Sequence, residues 1–176
     1  MSIFGNPRYD YQKTLMKYAH TLGLPMPDLT RLCRLSSYLL IKAMKLESVA
    51  ILVLDQKAHN YLVRAGEGGA HGLEGISLPE DNPLFQTLLE QKKELLLEDE
   101  KNEAVALEMR KLKGELFISV ISKHEHFGQP TLLGVVCLGK LLSGDSFSQK
   151  DINFLHSLLD EGRARIDEAF LGENDK

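Results

Sequence analysis

The chain has 176 residues, 43% of them hydrophobic and 26% charged, which is the composition of a folded domain and not of a disordered chain. The net charge of −4 and the scattered basic residues argue against a nucleic-acid partner, because such proteins usually carry a basic surface. Residues 1–10 lack a secretory signal, no apolar run reaches the roughly 20 residues of a membrane span, and two cysteines make no disulfide framework, so we expect a cytoplasmic protein without membrane contact.

Residues 1–27 are predicted to form a helix and a linker ahead of the main domain. Apolar residues at helical spacing mark one stripe of this first helix: Tyr11, Leu15, Tyr18 and Leu22. Glycine and proline at 23–27 then end it. Asp28 is a candidate N-cap for a second helix that runs to about Leu46.

The middle of the chain reads as a hairpin followed by short elements. The apolar run 49–54 predicts a buried central strand, and 61–65 predicts its hairpin partner. The glycines of 66–75 predict a loop of high flexibility. Further predicted elements are a strand at 76–78, a helix capped by Asp81 or Asn82 that runs to Gln91, a strand at 94–98 and a charged helix at 101–113.

The last third predicts a second hairpin and a long helix. Strands are expected at 116–122 and 132–142. Ser148 and Asp151 have the spacing of a capping box, in which each side chain accepts a hydrogen bond from the other residue's backbone. The helix that begins there is expected to reach about Phe170, with one apolar stripe: Leu155, Leu159, Gly162, Ile166 and Ala169.

Tight hairpins imply an antiparallel sheet, and helices grouped at both ends of the chain imply an α+β arrangement. Several motifs then resemble GAF domains, as found in bacterial histidine kinases and PP2C-type phosphatases. Residues 133–140, 142–145 and 147–151 resemble the closing strand, the turn and the capped final helix of that family. Earlier segments are similar to the same family at 48–55, 76–79, 81–84 and 94–99.

The resemblance covers residues 28–171, and we expect the tail 172–176 to be frayed. The resemblance implies a central antiparallel sheet of about six strands with the N- and C-terminal helices on one face. Loops and short helices would enclose a pocket on the other face, with these candidate ligand residues: Gly68, His71, Ile76, Phe85, Leu88 and Met109. A PAS or other profilin-like fold is the alternative.

The sequence contains no Walker A, HExxH or CxxC motif, so we expect no cofactor and no metal. His124 and His126 form an H-x-H pair, which is too few ligands for a zinc site without others. The GAF relatives that reduce free methionine sulfoxide need several cysteines around the pocket. Cys33 and Cys137 lie in the wrong segments for that chemistry, so the resemblance implies a protein that is not an enzyme.

Three hypotheses for function remain open. The first is a sensory module of bacterial signal transduction that binds a small ligand or a protein partner and dimerises through the two helical stripes given above. The second is a ligand-free scaffold whose pocket is filled by Phe85, Leu88 and Met109. The third, a redox enzyme, would depend on Cys33 or Cys137.

Overall fold

Six strands form one sheet at the centre of the molecule. The computed structural model of the chain describes residues 13, 16–18, 20, 29–122 and 130–174, the side chains of 169 and 171–174 excepted. Every neighbouring pair of strands is antiparallel, and the order across the sheet is β3-β2-β1-β6-β5-β4. The strands are β1 (Ser48–Asp55), β2 (Asn60–Gly68), β3 (Ser77–Pro79), β4 (Leu95–Leu96), β5 (Leu116–Ile121) and β6 (Leu132–Leu138). The α+β fold with a six-stranded antiparallel sheet is therefore confirmed.

Four helices pack around this sheet: α1 (Leu29–Met44), α2 (Pro83–Gln91), α3 (Glu103–Lys111) and α4 (Gln149–Asn174). Short 3-10 turns cover His71–Leu73 and Leu97–Asp99. Residues 13, 16–18 and 20 are also helical. Within the described residues, no helix combines the length and the apolarity that a membrane span requires.

The central strands β1 and β6 are buried along nearly their whole length, as their continuous apolar sequences require. They pair from Val49 with Leu138 to Val53 with Gly134. At Gly134 an added Cβ would lie 2.5 Å from the carbonyl oxygen of Leu52, so the close approach of the two strands needs a glycine there.

Two of the predicted helix caps are confirmed, those of α2 and α4. Asp151 donates its backbone N–H to Ser148 Oγ at 3.1 Å, and Ser148 donates its N–H to an Asp151 carboxylate oxygen at 2.8 Å. Asn82 is the cap of α2, and its side chain accepts from the N–H of Leu84 at 2.9 Å. These reciprocal bonds satisfy donors that the first turn of a helix otherwise leaves unpaired.

Several predicted boundaries are wrong. Helix α4 continues to Asn174, beyond the expected end at about Phe170, because one glycine in a last turn costs only about 1 kcal/mol relative to alanine and does not stop a helix. The strand expected at 94–98 is only the two-residue β4, and a 3-10 turn begins directly after it. Asp28, Tyr11, Leu15, Leu22, His124 and His126 lie outside the described residues.

The terminal helices share one side of the sheet. Helix α1 packs on β1 and β2 and also contacts α4. Tyr18, from the helical residues before α1, is buried between them: its hydroxyl lies 2.9 Å from Ser36 Oγ, and an added Cβ at Gly162 would lie 2.5 Å from the same hydroxyl. A single side chain therefore connects the N-terminal segment to both α1 and α4.

Candidate functional site

The sheet face opposite the terminal helices is the place where the sequence predicts a pocket. Helices α2 and α3 pack against each other there, and α2 also contacts β5 and β6. The exposed fractions of Phe85, Leu88 and Met109 are 1%, 0% and 0%. These three candidate ligand residues therefore belong to the hydrophobic core, and their own side chains occupy the space beneath the two helices.

Phe85 is held by an aromatic contact with the sheet. Its ring centroid lies 4.1 Å from that of Tyr61 on β2, with an angle of 38° between the ring planes. The Tyr61 hydroxyl donates to the carbonyl oxygen of Leu132 at 2.8 Å. Burial raises the pKa of Tyr61, so its hydroxyl keeps its proton and this hydrogen bond to β6.

A polar link joins α2 to α3 above this apolar cluster. Asn82, which is buried, donates from Nδ2 to Glu108 Oε2 at 3.0 Å, and Lys111 Nζ donates to Glu108 Oε1 at 3.0 Å. Burial raises the pKa of Glu108, but the hydrogen bonds from Asn82 and Lys111 outweigh it and leave the pKa below its ordinary value. The charged carboxylate therefore helps to hold the two covering helices together.

The glycine-rich segment between β2 and β3 makes hydrogen bonds to distant parts of the chain. Gly68 has a φ of +61°, and an added Cβ there would collide with the carbonyl oxygen of Glu47. The Gly69 N–H donates to that same oxygen at 3.0 Å, and Lys113 Nζ donates to the Gly69 carbonyl at 2.9 Å. The segment is therefore hydrogen-bonded to the residue before β1 and to the loop after α3.

The other three candidate ligand residues, Gly68, His71 and Ile76, lie exposed in or beside this segment. The six candidates thus fall into a buried set and a surface set, and ligand binding by either set stays a prediction. Among the described residues, no three His, Cys, Asp or Glu side chains are grouped so that they could hold a metal ion.

Most residues of the α4 stripe predicted for dimerisation pack against other parts of the same chain. Leu155, Leu159 and Gly162 are buried in α4, and Ile166 is half-buried against the core. Tyr18 is buried as well. An apolar cavity of about 30 Å³ remains between these helices and the sheet, which is room for roughly one water molecule and not for a metabolite. Dimerisation itself stays a prediction.

Helix α1 has a basic surface that the sequence analysis did not predict, because the basic residues look scattered along the sequence. The exposed positions of α1 are Arg31, Arg34, Tyr38 and Lys42. Their spacing of three, four and four residues puts them on one face of the helix. The helix contains no acidic residue, so a helical projection of 29–44 would have found this basic surface.

Both thiols are buried. Burial raises the pKa of the Cys137 thiol well above its ordinary value, which leaves little of the thiolate that a nucleophile or redox centre needs. Cys33 lines the small apolar cavity between the terminal helices and the sheet.

No protein-family model and no curated protein matches this sequence. Solved structures match the fold. The GAF domain of a phosphoenolpyruvate-protein phosphotransferase from Coxiella burnetii superposes with a TM-score of 0.72 at 18% identity, over 96% of this chain and 99% of that one. Residues 122 to 287 of a methyl-accepting chemotaxis protein superpose with a TM-score of 0.67 at 17% identity, over 90% and 97% of the two chains. The sheet and its helices therefore form a GAF fold.

An enzyme shares this fold. The free methionine-R-sulfoxide reductase from Neisseria meningitidis, solved in complex with its substrate, superposes with a TM-score of 0.66 at 12% identity, over 96% of this chain and 95% of that one. Identities this low establish the fold and leave the activity to the residues of each site. Membership of the histidine-kinase or phosphatase type of GAF domain stays a prediction.

Proposed function

We propose that this chain is a cytoplasmic, non-enzymatic regulatory module of bacterial signal transduction. It acts through protein contacts of its terminal helices, and the pocket face serves as a structural core. The observation that carries this proposal is the burial of Phe85, Leu88 and Met109 beneath α2 and α3. A ligand in that position would have to displace well-packed side chains, which costs several kcal/mol for each large one.

The helical layer supports the regulatory role. Tyr18 contacts α1 at Ser36 and reaches α4 at Gly162, so a shift of the N-terminal segment changes the packing of both helices. A regulatory signal requires two states that a partner binds with different affinity. Helices α1 and α4 also contact each other directly, so a partner that moves one of them changes the packing of the other.

The chemistry of the chain supports a non-enzymatic role. The reductase that shares the fold shows that a GAF fold can hold an active site. Here the two thiols are buried, and the raised pKa of Cys137 opposes nucleophilic or redox work. A redox activity that disappears in Cys33→Ser or Cys137→Ser would contradict this part of the proposal.

A thermal-shift screen with metabolites and nucleotides tests the filled pocket. The wild-type chain should show no stabilisation, while Phe85→Ala should be stabilised by a small apolar compound such as benzene, which has the size of the ring that the variant removes. The variant thus shows that the assay can detect a ligand at this position. If a metabolite stabilises the wild-type chain and Phe85→Trp abolishes that effect, the pocket is a ligand site and the proposal fails.

A further inference from the structure

Strand β4 lies at one edge of the sheet and pairs with another strand, β5, on one side only. Leu97 donates its backbone N–H to the carbonyl oxygen of Glu115 at 2.8 Å. Because hydrogen-bonding residues alternate along an antiparallel strand, the N–H and C=O of Leu96 point away from β5. Leu96 also lines two clefts, of about 410 and 290 Å³. Within the part of the chain that the structure describes, this edge therefore offers backbone groups and space to a further strand. We call residues 92–100, which contain β4, the edge segment.

The edge segment has a self-complementary order of charge. Its sequence is two lysines, one glutamate, three leucines and three acidic residues. When two copies run antiparallel with Leu96 opposite Leu96, the lysines of each copy face acidic residues of the other. Lys93 then faces Asp99, and Lys92 faces Glu100, while the leucines meet at the centre. A parallel pairing would place lysine on lysine, so the charges favour the antiparallel arrangement.

The monomer leaves the outer charges of the edge segment available for such contacts. Lys92, Lys93 and Asp99 are exposed, and none of them makes an ion pair with a described residue. Lys93 and Asp99 both line the larger cleft. A two-fold axis through the two Leu96 residues makes each lysine–carboxylate contact twice, so the pairing contains four of them.

One position in this arrangement brings like charges together, because Glu94 faces Glu98 of the other copy. His156 on α4 holds the first of these carboxylates: its Nε2 lies 3.0 Å from Glu94 Oε2. The hydrogen bond directs Glu94 toward α4 and away from the free edge. The two contacts between these glutamates are also outnumbered by the four contacts of opposite sign.

We infer that a second copy of this chain continues the sheet at β4, antiparallel and centred on Leu96. The two Leu96 residues then exchange both backbone hydrogen bonds, with their Cα atoms about 5.5 Å apart. The 3-10 turn at Leu97–Asp99 follows directly, so the ladder is short and the association is weak and concentration-dependent. This contact uses neither terminal helix, and it goes beyond the proposed function.

Cysteine cross-linking of the full chain tests the inference. Leu96→Cys places two thiols across the two-fold axis at a Cα separation that a disulfide can bridge, whereas both native thiols are buried. The matched control is Ser77→Cys, an exposed position on β3 at the opposite edge of the sheet. Under a mild oxidant, Leu96→Cys should form a covalent dimer on a non-reducing gel at least about 10-fold faster than this control. If it cross-links no faster, the inference is overturned.

Charge variants in the Leu96→Cys background test the antiparallel register. Lys93→Glu makes both Lys93–Asp99 contacts repulsive and should slow cross-linking by roughly 10-fold. Asp99→Lys should slow it equally. An equal mixture of these two variants should cross-link fast again, and so should the chain that carries both substitutions. Lys57→Glu, which reverses an exposed lysine in the turn between β1 and β2, should leave the rate unchanged.

Far-UV circular dichroism melts establish that each of these variants is folded. Folded Lys93→Glu and Asp99→Lys variants that cross-link at the unaltered rate overturn the inference, and so does a mixture that stays slow. The ligand screen and the packing of the terminal helices do not depend on β4. Failure of the edge contact is therefore distinct from failure of the proposed function.

Discussion

Truncating Phe85 measures how strongly the chain relies on its filled pocket face. The ring is 1% exposed, and its centroid lies 4.1 Å from that of the Tyr61 ring. Replacing a buried phenylalanine with alanine typically costs 3–5 kcal/mol, because apolar surface is lost and a cavity remains. For a domain of this length, each kcal/mol lowers the melting temperature by about 2–4 °C, so Phe85→Ala should melt roughly 6–20 °C below the wild type.

Urea denaturation followed by circular dichroism gives the free energy of unfolding directly. Leu107 on α3 is the matched control, since its side chain is 51% exposed and Leu107→Ala should change stability by no more than about 0.5 kcal/mol. If Phe85→Ala costs less than about 1 kcal/mol, the ring does not fill a packed core. The pocket face would then be open, and the reasoning behind a ligand-free module would be refuted.

Three other substitutions test separate features. Gly162→Ala should lose about 1–3 kcal/mol of stability because its methyl group meets the buried Tyr18 hydroxyl, while Gly72→Ala, with no atom within 4 Å of the added methyl group, should be near neutral in the same melts. Ser148→Ala removes the cap of α4 and should cost about 1 kcal/mol in urea denaturation; no loss would contradict the role of the capping box. Because the folded-state pKa of Glu108 is lowered, its carboxylate stabilises the fold at neutral pH, and that contribution is lost as the pH falls through the folded-state pKa. The stability difference between wild type and Glu108→Gln should therefore shrink as the pH falls below the ordinary pKa of a glutamate, and a difference that grows would refute the sign.

Local signals in the sequence predicted the fold well. The apolar run of β1 and the cap at Ser148 depend on residues a few positions apart, so the printed sequence is enough to place them. The antiparallel order followed from the hairpins. The end of α4 was missed because it depends on how little a single glycine costs in a last turn.

The candidate site was harder to predict because it depends on contacts between distant segments. Phe85 meets Tyr61 across 24 positions of sequence, and the sequence alone does not say whether that ring lines a pocket or fills it. The order of the glycine-rich segment likewise comes from Lys113 and Glu47, which reach Gly69 from other elements. Composition predicts flexibility there, because it holds no sign of these long-range hydrogen bonds.

The two buried thiols can report local opening of the structure. A thiol reagent in solution reacts only when a cysteine becomes accessible, so the labelling rate counts opening events. Cys33 lies on α1 within the helical layer, whereas Cys137 lies in the central strand β6. Labelling of Cys33 alone would record the detachment of a helix, and labelling of both at one rate would record the melting of the whole domain. A single kinetic trace can thus separate a signalling movement from loss of the fold.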